Sequence, residues 1–334
     1  MQGTDLYHFQ ECPVTRNRSL LSLALLASLA LALPTAQAQK TDPAAPPAVT
    51  YIRAGHLFDA TSDNLRDNMV ILVEGERIAK VAPAAELPIP AGASVIDLSK
   101  DWVLPGLIDC HTHLEVRADK YDPINDVKMT PFQGGFNGVV NASRTLMAGF
   151  TSVRDVGSQP FFAVDLRRYI DEGFIPGPRI VASGPPLSIT GGHGDMNGFA
   201  PAVSNMMYPA ERDFAIVDGP EQVRHAVREQ VKYGVDVIKI LATGGVLSQG
   251  DKPGAEQLTY EEMKMAVDTA HAAGRKVAAH AHGTQGIKDA IRAGVDSIEH
   301  GSLIDAEGIE MAKARGTYLV ADIYNDDYIL STAP

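Results

Sequence analysis

From about residue 103 onward, short apolar runs rich in β-branched residues alternate with amphipathic stretches of a dozen residues or more. That alternation predicts βα units around a parallel sheet buried on both faces. The predicted strands are Val103–Asp109, Thr151–Asp155, Arg179–Ser183, Val235–Leu241, Lys276–His280, Val295–Glu299 and Thr317–Asp322. The stretches between them close on a recurring pair: Ala148-Gly149, Tyr233-Gly234, Ala273-Gly274, Ala293-Gly294 and Arg315-Gly316. Glycine there supplies a left-handed helix stop before the next strand. Connections after strands are long (Leu114–Phe136, Gly184–Gly219, Ala242–Gln257), whereas helix-to-strand returns are short. This asymmetry favours an α/β fold of the (β/α)8 barrel type, incomplete at about seven strands, with its reactive face at the strand C-termini. No Gly-x-Gly-x-x-Gly follows the first strand, which weakens a dinucleotide-binding sheet.

The preceding segment has another texture. Tyr51–Arg53, Met69–Val73, Arg77–Val81 and Ser94–Asp97 read as short strands between Gly, Asn and Pro signals, with Glu74-Gly75-Glu76 as a hairpin turn. Nothing here has room for a helix of normal length, so residues 50–102 are expected to form a small β-sandwich ahead of a barrel spanning 103–334. Earlier still, Arg16 and Arg18 precede the apolar run Leu20–Leu33, and Ala36-Gln37-Ala38 follows with small residues suited to a signal peptidase. The run is shorter than the roughly 20 residues that span a bilayer. The expectation is a signal peptide over 1–38, a Pro/Ala linker over 39–49, and an exported protein, periplasmic or secreted, with no stable membrane anchor.

Composition narrows the partners. The chain has 334 residues, 45% of them hydrophobic, and a net charge of -12, which leaves no electrostatic case for gripping nucleic acid. Cys12 and Cys110 are too few for a disulfide framework. Cys12 is expected to leave with the signal, and Cys110, a lone thiol in an oxidising compartment, is expected to be buried. Oligomeric state is not readable from the sequence, and a homo-oligomer stays open.

The candidate chemistry lies at strand ends. His111-Thr112-His113 follows the first strand, and residues two apart on a strand share a face, so both imidazoles can meet one cation. Lys239 stands inside the apolar run Val237–Leu241, where a buried ammonium needs an acid partner, a depressed pKa or chemical modification. A neutral amine there could take up carbon dioxide as a carbamate able to bridge two metal ions. The fifth strand ends His280-Ala281-His282 and the sixth Glu299-His300-Gly301. His225 and His271 in helical stretches, His56 in the β unit and His8 in the leader read as structural or solvent-facing.

The set His111-x-His113, Lys239, His280 and His300, preceded by Val103-Leu104-Pro105-Gly106-Leu107-Ile108-Asp109, resembles the amidohydrolase superfamily from about residue 50 to the C-terminus. The phrases Thr190-Gly191-Gly192-His193-Gly194-Asp195, Lys239-Ile240-Leu241-Ala242-Thr243-Gly244-Gly245 and His280-Ala281-His282-Gly283 are similar to its imidazolonepropionase-like branch, which includes metal-dependent prolidases. The resemblance implies two divalent metal ions, usually zinc. It would put His111 and His113 on one, His280 and His300 on the other, and carboxylated Lys239 between them, with His193 and His282 placed to bind substrate.

It also implies an Asp at the tip of an eighth strand, which ligates a metal and takes the proton of the attacking water. The chain does not reach such a strand, and Asp322 reads as a polar strand end rather than its substitute. The function expected on these grounds is hydrolysis of an amide (C–N, non-ester) bond in a dipeptide or other small molecule, prolidase-like. A cyclic-amide hydrolase of the imidazolonepropionase type, and an inactive, C-terminally truncated metal-binding protein, remain the alternatives.

Overall fold

The computed structural model describes residues 48–117, 124, 128–207 and 214–332. The expected signal and most of the linker lie outside the described residues. The chain divides into two compact units, residues 48–57 with 65–103, and residues 58–64 with 104–332.

The first unit is a four-stranded sheet of β1 (Val49–Leu57), β2 (Arg66–Glu74), β3 (Arg77–Pro83) and β4 (Ser94–Val103), in the order β3-β2-β1-β4. β2 and β3 form the expected hairpin, with Glu74 opposite Arg77 and Gly75 at φ 60° in the turn. Ala54, Leu57, Met69 and Ile71 make its small core. Among the described residues this unit forms one sheet, and the second layer of the anticipated sandwich is not seen.

The second unit alternates parallel strands with helices. β5 (Leu107–Thr112), β6 (Phe150–Asp155) and β7 (Arg179–Ala182) form one sheet. β8 (Val237–Leu241), β9 (Lys276–Ala281), β10 (Ser297–His300) and β11 (Tyr318–Val320) form another. The two are joined beside β8. Leu187 bridges Ile240, its amide donates to Lys239 O (2.9 Å), and Asp236 N donates to Ala182 O (2.8 Å). β5 and β11 are the outer edges of this succession. Every residue of β8 is buried, as a parallel strand covered on both faces should be.

The helices are α1 (Pro131–Met147), α2 (Phe162–Asp171), α3 (Pro201–Met207), α4 (Pro220–Lys232), α5 (Tyr260–Ala272), α6 (Thr284–Ala293), α7 (Ala306–Arg315) and α8 (Asn325–Thr332). Capping boxes start α1 at Thr130 with Gln133, and α5 at Thr259 with Glu262. All five glycines singled out as helix stops have positive φ, from 69° to 103°. Among the described residues no helix is long and apolar enough to cross a membrane.

Several expectations shift. α1 begins and α3 lies wholly inside segments expected to be loop, and α8 forms where only a short tail was anticipated. The first barrel strand was expected at Val103–Asp109. Val103 instead closes β4, Pro105 has no amide hydrogen for a ladder, and β5 runs on through His111. Cys110 is exposed rather than buried, because it shares with Ile108 (68% exposed) the outward face of an edge strand.

Candidate active site

Six histidines and one aspartate converge at or just beyond the C-terminal ends of the second unit's strands, and the charge of Lys239, in β8, acts on four of these imidazoles. His111 is in β5 with a side chain only 8% exposed, and its ring lies 5.2 Å from that of His113 and 4.8 Å from that of His300. His280, in β9, sits 4.7 Å from both His282 and His300, and His282 lies 4.8 Å from His300. His193 reaches over from the loop after β7, 4.4 Å from His280. The sequence-predicted residues are therefore brought together from β5, β8, β9, β10 and that loop.

Three of the rings are oriented through one nitrogen. His113 Nδ1 is 2.8 Å from Gly157 O, His282 Nδ1 is 2.8 Å from Ser302 Oγ, and His280 Nε2 is 3.1 Å from Gly244 O. Gly157 in turn donates its amide to Asp155 Oδ1 (3.4 Å), while Asp155 Oδ2 accepts from Leu114 N (2.7 Å). His193 packs against the bare Cα of Gly245, where a Cβ would fall 2.1 Å from the ring.

His300 is set by an unusual turn. Its φ is 68°, and Gly301 N donates to Glu299 O at 2.9 Å, closing a γ-turn centred on the histidine. In a regular strand, neighbouring side chains point to opposite faces. Here Glu299 and His300 both reach His111, the carboxylate at 2.9 Å and the imidazole by ring contact.

Burial governs the charges. It holds His113 and His193 down at about 4, and His111 and His280 well below the usual imidazole range, with the Lys239 ammonium adding to each. These rings stay neutral at physiological pH, each with a lone pair to offer. Lys239 is 2% exposed, in the middle of β8 rather than at its end. Burial pulls it down to about 8 against the attraction of Glu299. Asp155 is pushed by burial up to about 7, although two backbone amides oppose that shift.

Asp322 is the residue that sequence reasoning set aside. It lies two residues beyond β11 at φ 49°, with Oδ2 2.8 Å from His300 Nδ1 and 3.7 Å from His111 Nδ1. Burial works to raise its pKa, but the contact with His300 and the nearby His111 outweigh it and hold the carboxyl below its usual value. The one available signal was its place at the end of the seventh predicted strand.

Two groups have ligand atoms all within 4.8 Å of one another, His280 with His282 and His300, and His111 with His300 and Asp322. Among the described residues, His193 Nδ1 of this cluster is a buried side-chain atom with no hydrogen-bond partner, and Asp322 Oδ2 faces imidazole nitrogens, His300 Nδ1 at 2.8 Å and His111 Nδ1 at 3.7 Å. Buried polar atoms are seldom left without a partner, and neutral imidazoles beside a carboxylate suit a divalent cation, so the donor set fits a metal. The remaining histidines behave otherwise: His56 pairs with Asp67 at 2.7 Å, His271 with Asp296 at 2.8 Å, and His225 is exposed.

The profile described as Amidohydrolase family matches residues 102–331. A curated ochratoxinase from Aspergillus niger is 36% identical over 286 residues, 82% of this chain and 58% of the ochratoxinase, so the chain spans little more than half of that relative. The solved structure of a Xaa-Pro dipeptidase with methionine in its active site is similar at a TM-score of 0.78 and 36% identity, over 85% of this chain and 69% of that one. A prolidase complexed with N-methylphosphonate-L-proline is similar at a TM-score of 0.72 and 32% identity, over 81% of this chain and 65% of that one.

Proposed function

The chain belongs to the amidohydrolase family, and on that premise we propose that it is a metal-dependent hydrolase of amide bonds, acting on dipeptides in the manner of a prolidase. The observation that carries this is the convergence of His280, His282 and His300 with His111 and Asp322 around shared ligand distances. The residues that would hold two divalent cations, zinc foremost, are His111, His113, Lys239, His280 and His300, with Asp322 and His282 now inside the same clusters. Bound cations would supply Lewis acidity, lowering the pKa of water and polarising the scissile carbonyl.

The chain's own groups prepare for this. The imidazoles of His113, His282 and His280, oriented through Gly157 O, Ser302 Oγ and Gly244 O, are held in fixed directions, and burial keeps His113 and His280 neutral with a lone pair to offer. Lys239 at about 8 has a neutral fraction at physiological pH. Its amine could attack carbon dioxide, forming an N–C bond as a C=O π bond opens and one proton passes to water, which would leave an anionic carbamate able to ligate a cation. Asp322 contributes a carboxylate that stays ionised at neutral pH and so is placed to receive a proton. His193, with an unpartnered Nδ1, is suited to a polar group of the substrate.

Substrate class rests on likeness to the Xaa-Pro dipeptidase and the prolidase, and on the Thr190–Asp195 and His280–Gly283 phrases. Export through the Leu20–Leu33 segment suits scavenging of small peptides. The test is metal content and Xaa-Pro dipeptide turnover of this chain, before and after exhaustive chelation. Loss of turnover on chelation and its return with zinc are expected. Turnover that survives metal removal overturns the mechanism, and zinc binding without turnover favours a metal-binding protein that does not catalyse.

A further inference from the structure

Glu299 is fully buried and makes four polar side-chain contacts. Arg154 Nη2 donates to Oε1 (2.7 Å) and Oε2 (2.8 Å), and Ser297 Oγ donates to Oε1 (2.6 Å). The same guanidinium donates from Nη1 to Ser297 Oγ (2.9 Å) and from Nε to Cys110 O (2.7 Å). One side chain of β6 thus ties the backbone of β5 to two side chains of β10. Glu299 is an acceptor throughout, so its 2.9 Å contact with His111 Nδ1 places the imidazole proton on Nδ1.

We propose that Glu299 is a positioning residue that locks His111 in its Nδ1–H tautomer, with Arg154 holding Glu299 in place. The Nε2 lone pair is then the one His111 presents for ligation. A carboxylate accepting from the far nitrogen also makes the ring a better donor, which is how an outer partner tunes a ligating histidine. The γ-turn at His300 is what makes this possible, since regular alternation would turn Glu299 away whenever His300 faced inward. A packing strut between β6 and β10 would need only the Arg154–Glu299 pair; the link to His111 adds direction. The use of the lone pair rests on the metal-dependent reading above, whereas the tautomer does not.

The two are therefore separable by experiment. Nitrogen-15 NMR of the histidine-labelled, metal-free chain should show His111 protonated at Nδ1. In Glu299→Gln the population should move toward Nε2–H, because the amide can turn its NH2 to the ring. Zinc affinity, read by chelator competition, should fall about 10- to 100-fold. If E299Q fails to fold, Arg154→Lys, which keeps the charge but loses the two-pronged grip, is read in the same two ways. An Nε2–H tautomer in the unaltered chain overturns the proposal, as does a folded variant whose tautomer is unchanged and whose zinc affinity stays within twofold. Should the unaltered chain bind no zinc, the hydrolase reading fails while the tautomer still decides the role of Glu299.

Discussion

His300 and Asp322 meet at the ends of two neighbouring strands, Nδ1 to Oδ2 at 2.8 Å, and both hold left-handed backbone. For residues other than glycine such backbone costs on the order of 1–3 kcal/mol and persists where the surroundings impose it. Two strained residues whose polar atoms face one another beside His111 make a candidate cation cradle. Asp322→Asn tolerates the same backbone and keeps the shape but removes the charge. Zinc affinity should fall by about tenfold or more, equivalent to about 1.4 kcal/mol. Chelator competition measures it, and an affinity within twofold of the unaltered chain would reduce Asp322 to a cap on His300.

Lys239 gives a prediction of opposite sign for stability and for binding. Its pKa falls from 10.5 in the unfolded chain to about 8 in the folded one, so burial outweighs the attraction of Glu299. Between those values the unfolded chain binds more protons, and stability rises with pH through that window. Lys239→Met should flatten this rise and stabilise the metal-free chain at pH 7 by on the order of 1–3 kcal/mol. It should also abolish high-affinity zinc binding. Urea melts of both chains at pH 7 and 10 check the first part, and equal pH dependence would contradict it.

Much of this was legible in the sequence because its signals are local. Glycine stops after helices, the Gly75 hairpin and histidines at strand ends are each readable within a few residues, and they place β5, β9 and β10 at the site. What escaped depends on contacts distant in sequence or on single backbone angles. Glu299 meets His111 across 188 residues, and period-two alternation turns it away from any site that His300 faces. Only the γ-turn reverses that inference. Cys110 escaped because nothing in its own neighbourhood says that β5 is an edge, and Asp322 because its φ of 49° turns the chain after β11.

Acid should unfold the metal-free chain through its imidazoles. His113 and His193 lie at about 4, and His111 and His280 are also far below the ordinary 6.5, all chiefly by burial. The unfolded chain therefore takes up more protons as pH falls from 6.5 toward 4, and stability declines across that window. Asp155, raised by burial to about 7, acts the other way, since stability tied to its protonated form is lost as pH rises through 7. Four groups against one decide the sign, with a loss on the order of a few kcal/mol per pH unit. Urea midpoints at pH 7.5 and 5.5 should fall in that order, and equal midpoints would show that the rings are solvated.

Gly245 offers a way to move His193 without substituting any candidate metal ligand. The ring of His193 packs where a Cβ on Gly245 would fall 2.1 Å from Cε1 and 2.2 Å from Nδ1, closer than real atoms approach. The ring is otherwise carried by a loop, held through its backbone amide to Gln257 Oε1 at 3.0 Å, and so has room to yield. Gly245→Ala should therefore displace His193 from its 4.4 Å contact with His280 while the two candidate ligand clusters keep their geometry. If His193 binds substrate, zinc content stays unchanged and KM for a dipeptide rises several-fold, with a smaller effect on kcat. Loss of zinc from the variant would instead make His193 part of the metal centre, and unchanged kinetics would remove it from the site altogether.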